Sequence, residues 1–528
     1  MGRAEGGWGP ARLTRRMPRR RSRRVHRRMS EFAAGEPVEP TDQPVQSWEP
    51  TIQSSDLPVP PSELPVRPSE LPVPPSHLRR LFTNFGYMVA KLGATAILGL
   101  AYWAVATHLF SARDIGLAAA ASSTAFFLAA IGALGIPLLL LAELDALQAA
   151  VRRIIFSTGI YIVCLVVLIL SLGTLALSPF LGDSLRIIGS NWATAAFLVI
   201  GSVATAGAIT FDNAAIGLHR GSAQLTRGSL NSVLKLAIVG VLVIVGIRTA
   251  PGLLFAWALA LVVSLVVCIP MLRLEPTPAG EGDLSHRMAL TRRYGVLSLK
   301  HHVLNLSINS ISYVVALIAA LLVPPQQVAY FSTALLLSST VQLVPYLLAL
   351  SLFAEMAGNP DLLHSHVRRT LPLGLALSGG IAVAVQVAAP LVLRIFGPEY
   401  VMNGTTALRI LILVGPAYVI KDHYVAIRRT QGRLGHAAKV MAAGTTAEAA
   451  GAALGGIYWG MTGLCTGWAV GALCEAVALL PPVIRVFRRH PTVEPDSGGS
   501  PGRGPRSARG RPGAARRAAG PSDGRADQ

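Results

Sequence analysis

From about Leu81 to Ile484 the chain is a succession of apolar runs near twenty residues long, separated by short segments rich in arginine, glycine or proline. A helix rises 1.5 Å per residue and the hydrocarbon of a bilayer is ~30 Å thick, so runs of this length are those of membrane-crossing helices. The pattern predicts about twelve spans, near 84–108, 115–142, 152–177, 191–217, 229–248, 252–272, 294–323, 326–356, 369–395, 404–424, 436–457 and 460–484. The fold class expected is therefore an all-α polytopic membrane protein.

Composition agrees with the pattern. The chain of 528 residues is 52% hydrophobic and only 14% charged, with a mean hydropathy of +0.50, which excludes an ordinary soluble globule. A formal net charge of +20 invites a nucleic-acid reading, but eleven arginines precede Met29 and seven follow His490. The excess belongs to the tails, and no nucleic-acid partner is expected. In the first tail a heptapeptide recurs three times, DLPVPPS from Asp56, ELPVRPS from Glu63 and ELPVPPS from Glu70, and its prolines favour an extended spacer. The predicted organisation is a disordered Arg-rich and Pro-rich tail over 1–78, a first six-helix bundle over 79–274, a linker over 275–291, a second bundle over 292–489 and a disordered basic tail over 490–528.

Charge in the connections alternates. Arg152, Arg153, Arg220, Arg227, Arg273, Arg287, Arg292, Arg293, Arg368, Arg369, Arg428, Arg429 and Arg433 follow even-numbered spans, against little beyond Arg113, Arg186, Arg248 and Arg394 on the other side. The positive-inside rule then places both termini in the cytoplasm of a plasma-membrane protein. The two halves also match at a near-constant offset: Arg79-Arg80 with Arg292-Arg293, Ala142-Glu143 with Ala354-Glu355, and Asp212-Asn213 with Asp422-His423. Parallel repeats of six spans are a common plan among secondary carriers.

Candidate chemistry is sparse. Cys164, Cys268, Cys465 and Cys474 lie inside apolar runs without metal-ligand spacing, so neither a disulfide nor a metal site is expected. There is no GxxxxGK[ST] loop and no acid-rich external loop, so no ATPase or other catalytic residue is expected, and no cofactor beyond a coupling sodium ion, proton or membrane potential. Ionisable groups inside spans cost at least ~2.5 kcal/mol each and mark functional or paired positions. Lys91, Lys300, His301 and His302 read as a cationic lining for an anionic substrate, with snorkelling to the headgroups as the competing role for the lysines. Asp212 and Lys235 read as an intramembrane ion pair. Glu448 and Glu475 have no evident basic partner in sequence and read either as coupling-ion ligands or as polar helix contacts.

Three segments carry a resemblance: FSARDIGL from Phe110 to Leu117, FGPEY from Phe396 to Tyr400 followed by LRIL from Leu408, and GMTG from Gly460. Over roughly residues 79–489 the chain resembles the polysaccharide biosynthesis, or lipid-linked oligosaccharide flippase, family of the multidrug/oligosaccharidyl-lipid/polysaccharide exporter superfamily. The resemblance implies two six-helix bundles that move a polyprenyl-diphosphate-linked glycan between leaflets by alternating access. It further implies membrane lipids, a polysaccharide polymerase and glycosyltransferases as partners. A multidrug or cation antiporter of the same superfamily, and a membrane scaffold for glycan enzymes, are the competing expectations.

Overall fold

The computed structural model describes residues 75–275, 310–356, 363–431 and 433–488, together with Gly295, Ser298, Leu299, His302 and Leu306. Among these no strand occurs. The helices are α1 (Pro75–Leu109), α2 (Ala112–Gly132), α3 (Ile136–Glu143), α4 (Ala149–Leu177), α5 (Asp183–Ser190), α6 (Trp192–Gly217), α7 (Gly221–Ile244) and α8 (Ala250–Cys268). The second half contributes α9 (Ile311–Leu322), α10 (Pro325–Met356), α11 (Leu363–Leu393), α12 (Pro398–Ile412), α13 (Gly415–Thr430) and α14 (Leu434–Arg488).

Local sequence explains the breaks. Ser111 caps α2 by accepting from the Asp114 backbone N–H, and the Asp114 carboxylate in turn accepts from the Ala250 N–H at 2.8 Å, fastening the starts of α2 and α8 together. Asn191 caps α6 through the N–H groups of Ala193 and Thr194. Several hydroxyls inside the apolar helices turn back on their own backbone, as Thr205 does to the Gly201 carbonyl and Thr333 to that of Ala329, which satisfies them without water.

Nine described helical stretches are long and apolar enough to cross a bilayer, and the chain is a multi-pass membrane protein. Of the twelve expected spans, the seventh is represented only by α9, with most of 294–310 outside the described residues. The eighth is α10, which is not among the nine, and the last two are the arms of α14, counted as one stretch. Helix starts repeat the sequence offset: α2 and α10, α4 and α11, and α7 and α14 begin 213 or 214 residues apart. The equivalent helices α4 and α11 both turn apolar side chains outward, Tyr161, Leu165, Ile169 and Leu172 on one and Val383, Val387 and Leu391 on the other. Exposed stripes of that kind are lipid-facing surfaces.

Helices α1, α2, α4, α6, α7 and α8 pack among themselves, α9 to α14 do likewise, and α2 joins the two groups by packing on α9 and α10. The join uses small residues. Ala118 to Ala121 are buried on α2, and a Cβ added to Gly116 would lie 1.6 Å from the Pro325 carbonyl oxygen. Phe126 of α2 stacks on Tyr313 of α9 with centroids 5.6 Å apart. Near the same end, where arginines are few, the His108 ring hydrogen-bonds the Ile395 carbonyl at 3.0 Å.

Helix α14 is a hairpin. Its helical geometry fails only at Trp459 and Gly460, where Gly460 adopts φ 59° and ψ −145°, a conformation for which a residue without Cβ is suited. Below the turn the arms touch backbone to backbone. A Cβ on Gly455 would lie 2.0 Å from the Gly463 oxygen, and one on Gly467 1.9 Å from the Gly451 oxygen. This is small-residue packing of the membrane kind, and it continues to Gly471, which faces Glu448, and Gly444, which faces Glu475.

Candidate functional site

The intramembrane charges form two clusters, one in each group of helices. In the first, α1 and α7 meet along a polar seam. Gln224, Arg227, Gly228, Asn231 and Lys235 fall at helical spacing along α7, and Lys91, Thr95 and Tyr102 oppose them on α1. The bare Cα of Gly228 admits the Lys91 stem, which passes within about 3.4 Å of where a Cβ would stand. Arg227 grips Asp212 of α6 with two parallel bonds, Nε to Oδ1 at 2.6 Å and Nη2 to Oδ2 at 2.7 Å, and Lys91 Nζ reaches Asp212 Oδ2 at 3.3 Å. Bidentate pairing of this kind is the stronger class of charge-assisted hydrogen bond.

The expected Asp212–Lys235 pair does not form. Arg227 occupies the carboxylate, and Lys235 lies eight residues further along α7, about 12 Å at helical rise. Its ammonium instead sits over the Tyr102 ring, 3.9 Å from the centroid, a cation–π contact, and it makes no ion pair among the described residues. Lys91, expected to line a substrate path, is half-buried and bound to Asp212. Lys300 and His301 lie outside the described residues. His302 is buried, its backbone N lying 2.9 Å from where a Cβ on Gly135 would stand, while nearby Ser298 donates to the Leu134 carbonyl at 2.7 Å. The structure thus ties His302 to the end of α2 and not to the Lys91 cluster.

The second cluster joins α13 and both arms of α14. Lys421 Nζ lies 2.5 Å from Glu448 Oε1 and 2.7 Å from Glu475 Oε2, and Trp468 Nε1 donates to Glu448 Oε2 at 2.9 Å. Lys421 is 3% exposed and Glu448 fully buried. Glu448 and Glu475, expected to lack a basic partner, therefore share one. Beside them a cavity of about 230 Å³ is lined by Ser338, Ser339, Gln342, Tyr418, Asp422 and Trp468, and the Tyr418 hydroxyl is buried without a hydrogen-bond partner. Among the described residues no group of three or more His, Cys, Asp or Glu side chains is arranged to hold a metal ion. All four cysteines are free thiols.

The clusters differ in sign. Lys91, Arg227 and Lys235 against Asp212 leave an excess of positive charge in the first group, and Glu448 and Glu475 with the adjacent Asp422 against Lys421 leave an excess of negative charge in the second. Lys235 and Glu448 are each the fifteenth residue of their helix, and α7 and α14 are repeat equivalents. Opposite charges occupy one position of the repeat. Lys421 and Arg227 are the paired charges that sequence reasoning missed; the signal for Lys421 was a further intramembrane lysine, next to Asp422.

No protein-family model matches the sequence, and no curated protein matches it either. Solved structures do. The chain is similar to the lipid II flippase MurJ in an inward closed conformation, at 13% identity over 76% of this chain and 88% of that one, with a TM-score of 0.55. It is similar to an inward-facing multidrug resistance MATE family transporter of the MOP superfamily, at 16% identity over 76% and 94%, TM-score 0.51. It is also similar to the Vibrio cholerae MATE transporter VcmN, at 18% identity over 78% and 97%, TM-score 0.51. At these identities the likeness is one of fold. The chain shares the fold of these solved transporters.

Proposed function

We propose that the chain is a flippase that carries a polyprenyl-diphosphate-linked saccharide across the plasma membrane by alternating access, with the first bundle holding the diphosphate and the second a coupling proton or sodium ion. The bundles are 79–274 and 292–489, joined by 275–291 and flanked by the tails 1–78 and 490–528. The observation that carries the reading is the reversal of charge between Lys235 and Glu448 at one repeat position. A diphosphate brings about two negative charges, and an ammonium whose described partner is only an aromatic face attracts it strongly where water is scarce. Lys91, held by Asp212, passes this role to Lys235. In the second bundle Glu448, Glu475 and the neighbouring Asp422 outnumber the Lys421 ammonium, an excess of negative charge that a bound proton or sodium ion reduces. Partners on this reading are membrane lipids, the glycosyltransferases that assemble the cargo and a polymerase that consumes it.

A second reading has its own support. The carboxylates Glu448, Glu475 and Asp422 gather in one bundle, as a proton- or sodium-driven multidrug or cation antiporter requires. The test is delivery of a labelled polyprenyl-diphosphate glycan to the opposite leaflet of proteoliposomes by Lys235→Gln and Lys235→Arg, at equal protein. Loss of one charge-assisted contact lowers transport roughly ten- to hundredfold in the Gln variant, and Arg retains most of it. Undiminished glycan flipping by Lys235→Gln would remove Lys235 from the site, and no glycan flipping by the wild type, together with proton-driven efflux of an organic cation that Glu475→Gln abolishes, would establish the antiporter instead.

A further inference from the structure

At the Arg-rich end of the second group of helices, α13 stops at Thr430 and the chain turns into α14, whose second arm returns to end at Arg488. The turn is pinned by backbone bonds from the Gln431 N–H to the Ile427 carbonyl and from the Arg433 N–H to the Arg428 carbonyl, each 3.0 Å. Between the turn and the returning arm lies a cleft of about 430 Å³, lined by Arg428, Gln431, Arg433, Pro482, Arg485 and Val486. Three arginines line it, and among the described residues no carboxylate does.

Two ordinary explanations account for the arginines as such. Cations complement the C-terminal ends of α13 and α14, and arginines collect on the cytoplasmic side of membrane proteins. Neither explains a walled concavity, nor the state of Arg428. Its guanidinium is held in place by donation from Nη1 to Gln431 Oε1 at 3.2 Å and by the Tyr424 ring, 5.2 Å away, yet its Nε is buried with no acceptor. A buried N–H of a charged group without a partner carries a free-energy cost. The floor of the cleft is apolar, with Pro482 and the buried Val486, and the volume falls in the range of ligand pockets.

We propose that this cleft is a binding site for a lipid-borne phosphate: the headgroup phosphate of an anionic phospholipid, or the diphosphate of a lipid carrier. Arginine forks match phosphate oxygens bidentately, basic pockets between membrane helices near one face take phosphorylated headgroups, and the apolar floor receives the first carbons of the chain. The site is separate from the Lys235 and Lys421 clusters and does not depend on the cargo assigned above.

The experiment compares full-length protein with the triple variants Arg428→Gln/Arg433→Gln/Arg485→Gln and Arg428→Lys/Arg433→Lys/Arg485→Lys, with Arg248→Gln as a control at the opposite end. Binding of phosphatidylglycerol against phosphatidylcholine is read by native mass spectrometry, and folding by the thermal transition. A surface arginine contributes about fivefold to attraction of an anionic lipid, so the triple Gln variant loses roughly a hundredfold of the preference, the Lys variant, which keeps the charge but not the fork, falls between it and wild type, and Arg248→Gln keeps most of it. Farnesyl diphosphate and inorganic pyrophosphate then serve as competitors. Displacement of phosphatidylglycerol by farnesyl diphosphate but not by pyrophosphate assigns the site to a lipid carrier, and resistance to both assigns it to a phospholipid. Equal displacement by pyrophosphate overturns the lipid-borne ligand, and an unchanged preference in a folded triple Gln variant overturns the site.

Discussion

Lys421 is the residue whose removal the structure makes most informative. Its ammonium stands 2.5 and 2.7 Å from two carboxylates that are essentially inaccessible to solvent. At an effective dielectric constant near 20, each contact corresponds to about 6 kcal/mol of Coulomb attraction, most of it offset by desolvation of the three groups. Lys421→Met therefore does not forfeit the full attraction. It leaves two buried acids facing each other, and breaking a buried pair by deleting one partner costs about 3–5 kcal/mol. A loss of that size is a large part of ordinary protein stability and lowers the thermal transition by something of the order of 10 °C. The assay is thermal unfolding of purified protein in detergent. The single variant is expected to be strongly destabilised, and Lys421→Met/Glu448→Gln/Glu475→Gln, which removes all three charges, is expected to recover much of the loss. A triple variant as unstable as the sum of its single substitutions would mean that the groups do not interact, and the assignment of one shared cation would fall.

The same logic applies to the first cluster: Asp212→Asn and Arg227→Gln should each lower folded yield, and Asp212→Arg/Arg227→Asp should restore part of it. Exchange of Asp212 with Lys235 should restore nothing, and rescue by that exchange would contradict the observed pairing. Gly455→Leu places side-chain atoms where the Gly463 backbone already stands and should abolish monodisperse elution on size exclusion, whereas Gly93→Ala, with nothing within 4 Å of the new Cβ, should elute as wild type. Gly116→Val forces α2 from Pro325; cysteines placed at Ser111 and Gln326 should then cross-link less readily, and an unchanged rate would show that this contact does not hold the two groups together.

Span positions were legible because hydropathy reports the solvent around a helix directly. The start of the fifth span was not. Gln224, Arg227 and Asn231 depress the apolar average over two turns of α7, so the sequence reading begins that span near 229 and leaves Arg227 in a loop, while the helix begins at Gly221. Arg227 is buried because its polar face turns into α1 and α6 instead of lipid. Pairing between helices was equally hidden. Asp212 and Lys235 are matched by charge, but which cation reaches the carboxylate depends on helix rotation and depth, and those are set by contacts such as Gly228 against Lys91. Glu448 and Glu475 were identified as unusual from depth alone. Their common cation lies on a third helix, at a distance along the chain that no local pattern encodes.

The glycine-faced hairpin of α14 has a consequence for how the protein is made. Lys421 precedes Glu448 by 27 residues, and Glu475 follows Glu448 by the same number. A ribosome therefore delivers the ammonium first and the carboxylates one helix at a time. The translocon faces each charge singly at ~2.5–3.5 kcal/mol for an acidic or basic residue at a helix centre, unless a partner is already in the bilayer. Lys421 meets Glu448 as the first arm arrives, and the second arm can lie against the first only after synthesis has passed Gly460. A nascent chain halted after the first arm would thus hold the Lys421–Glu448 pair, and the final arm, which brings Glu475 to the same ammonium, closes assembly last.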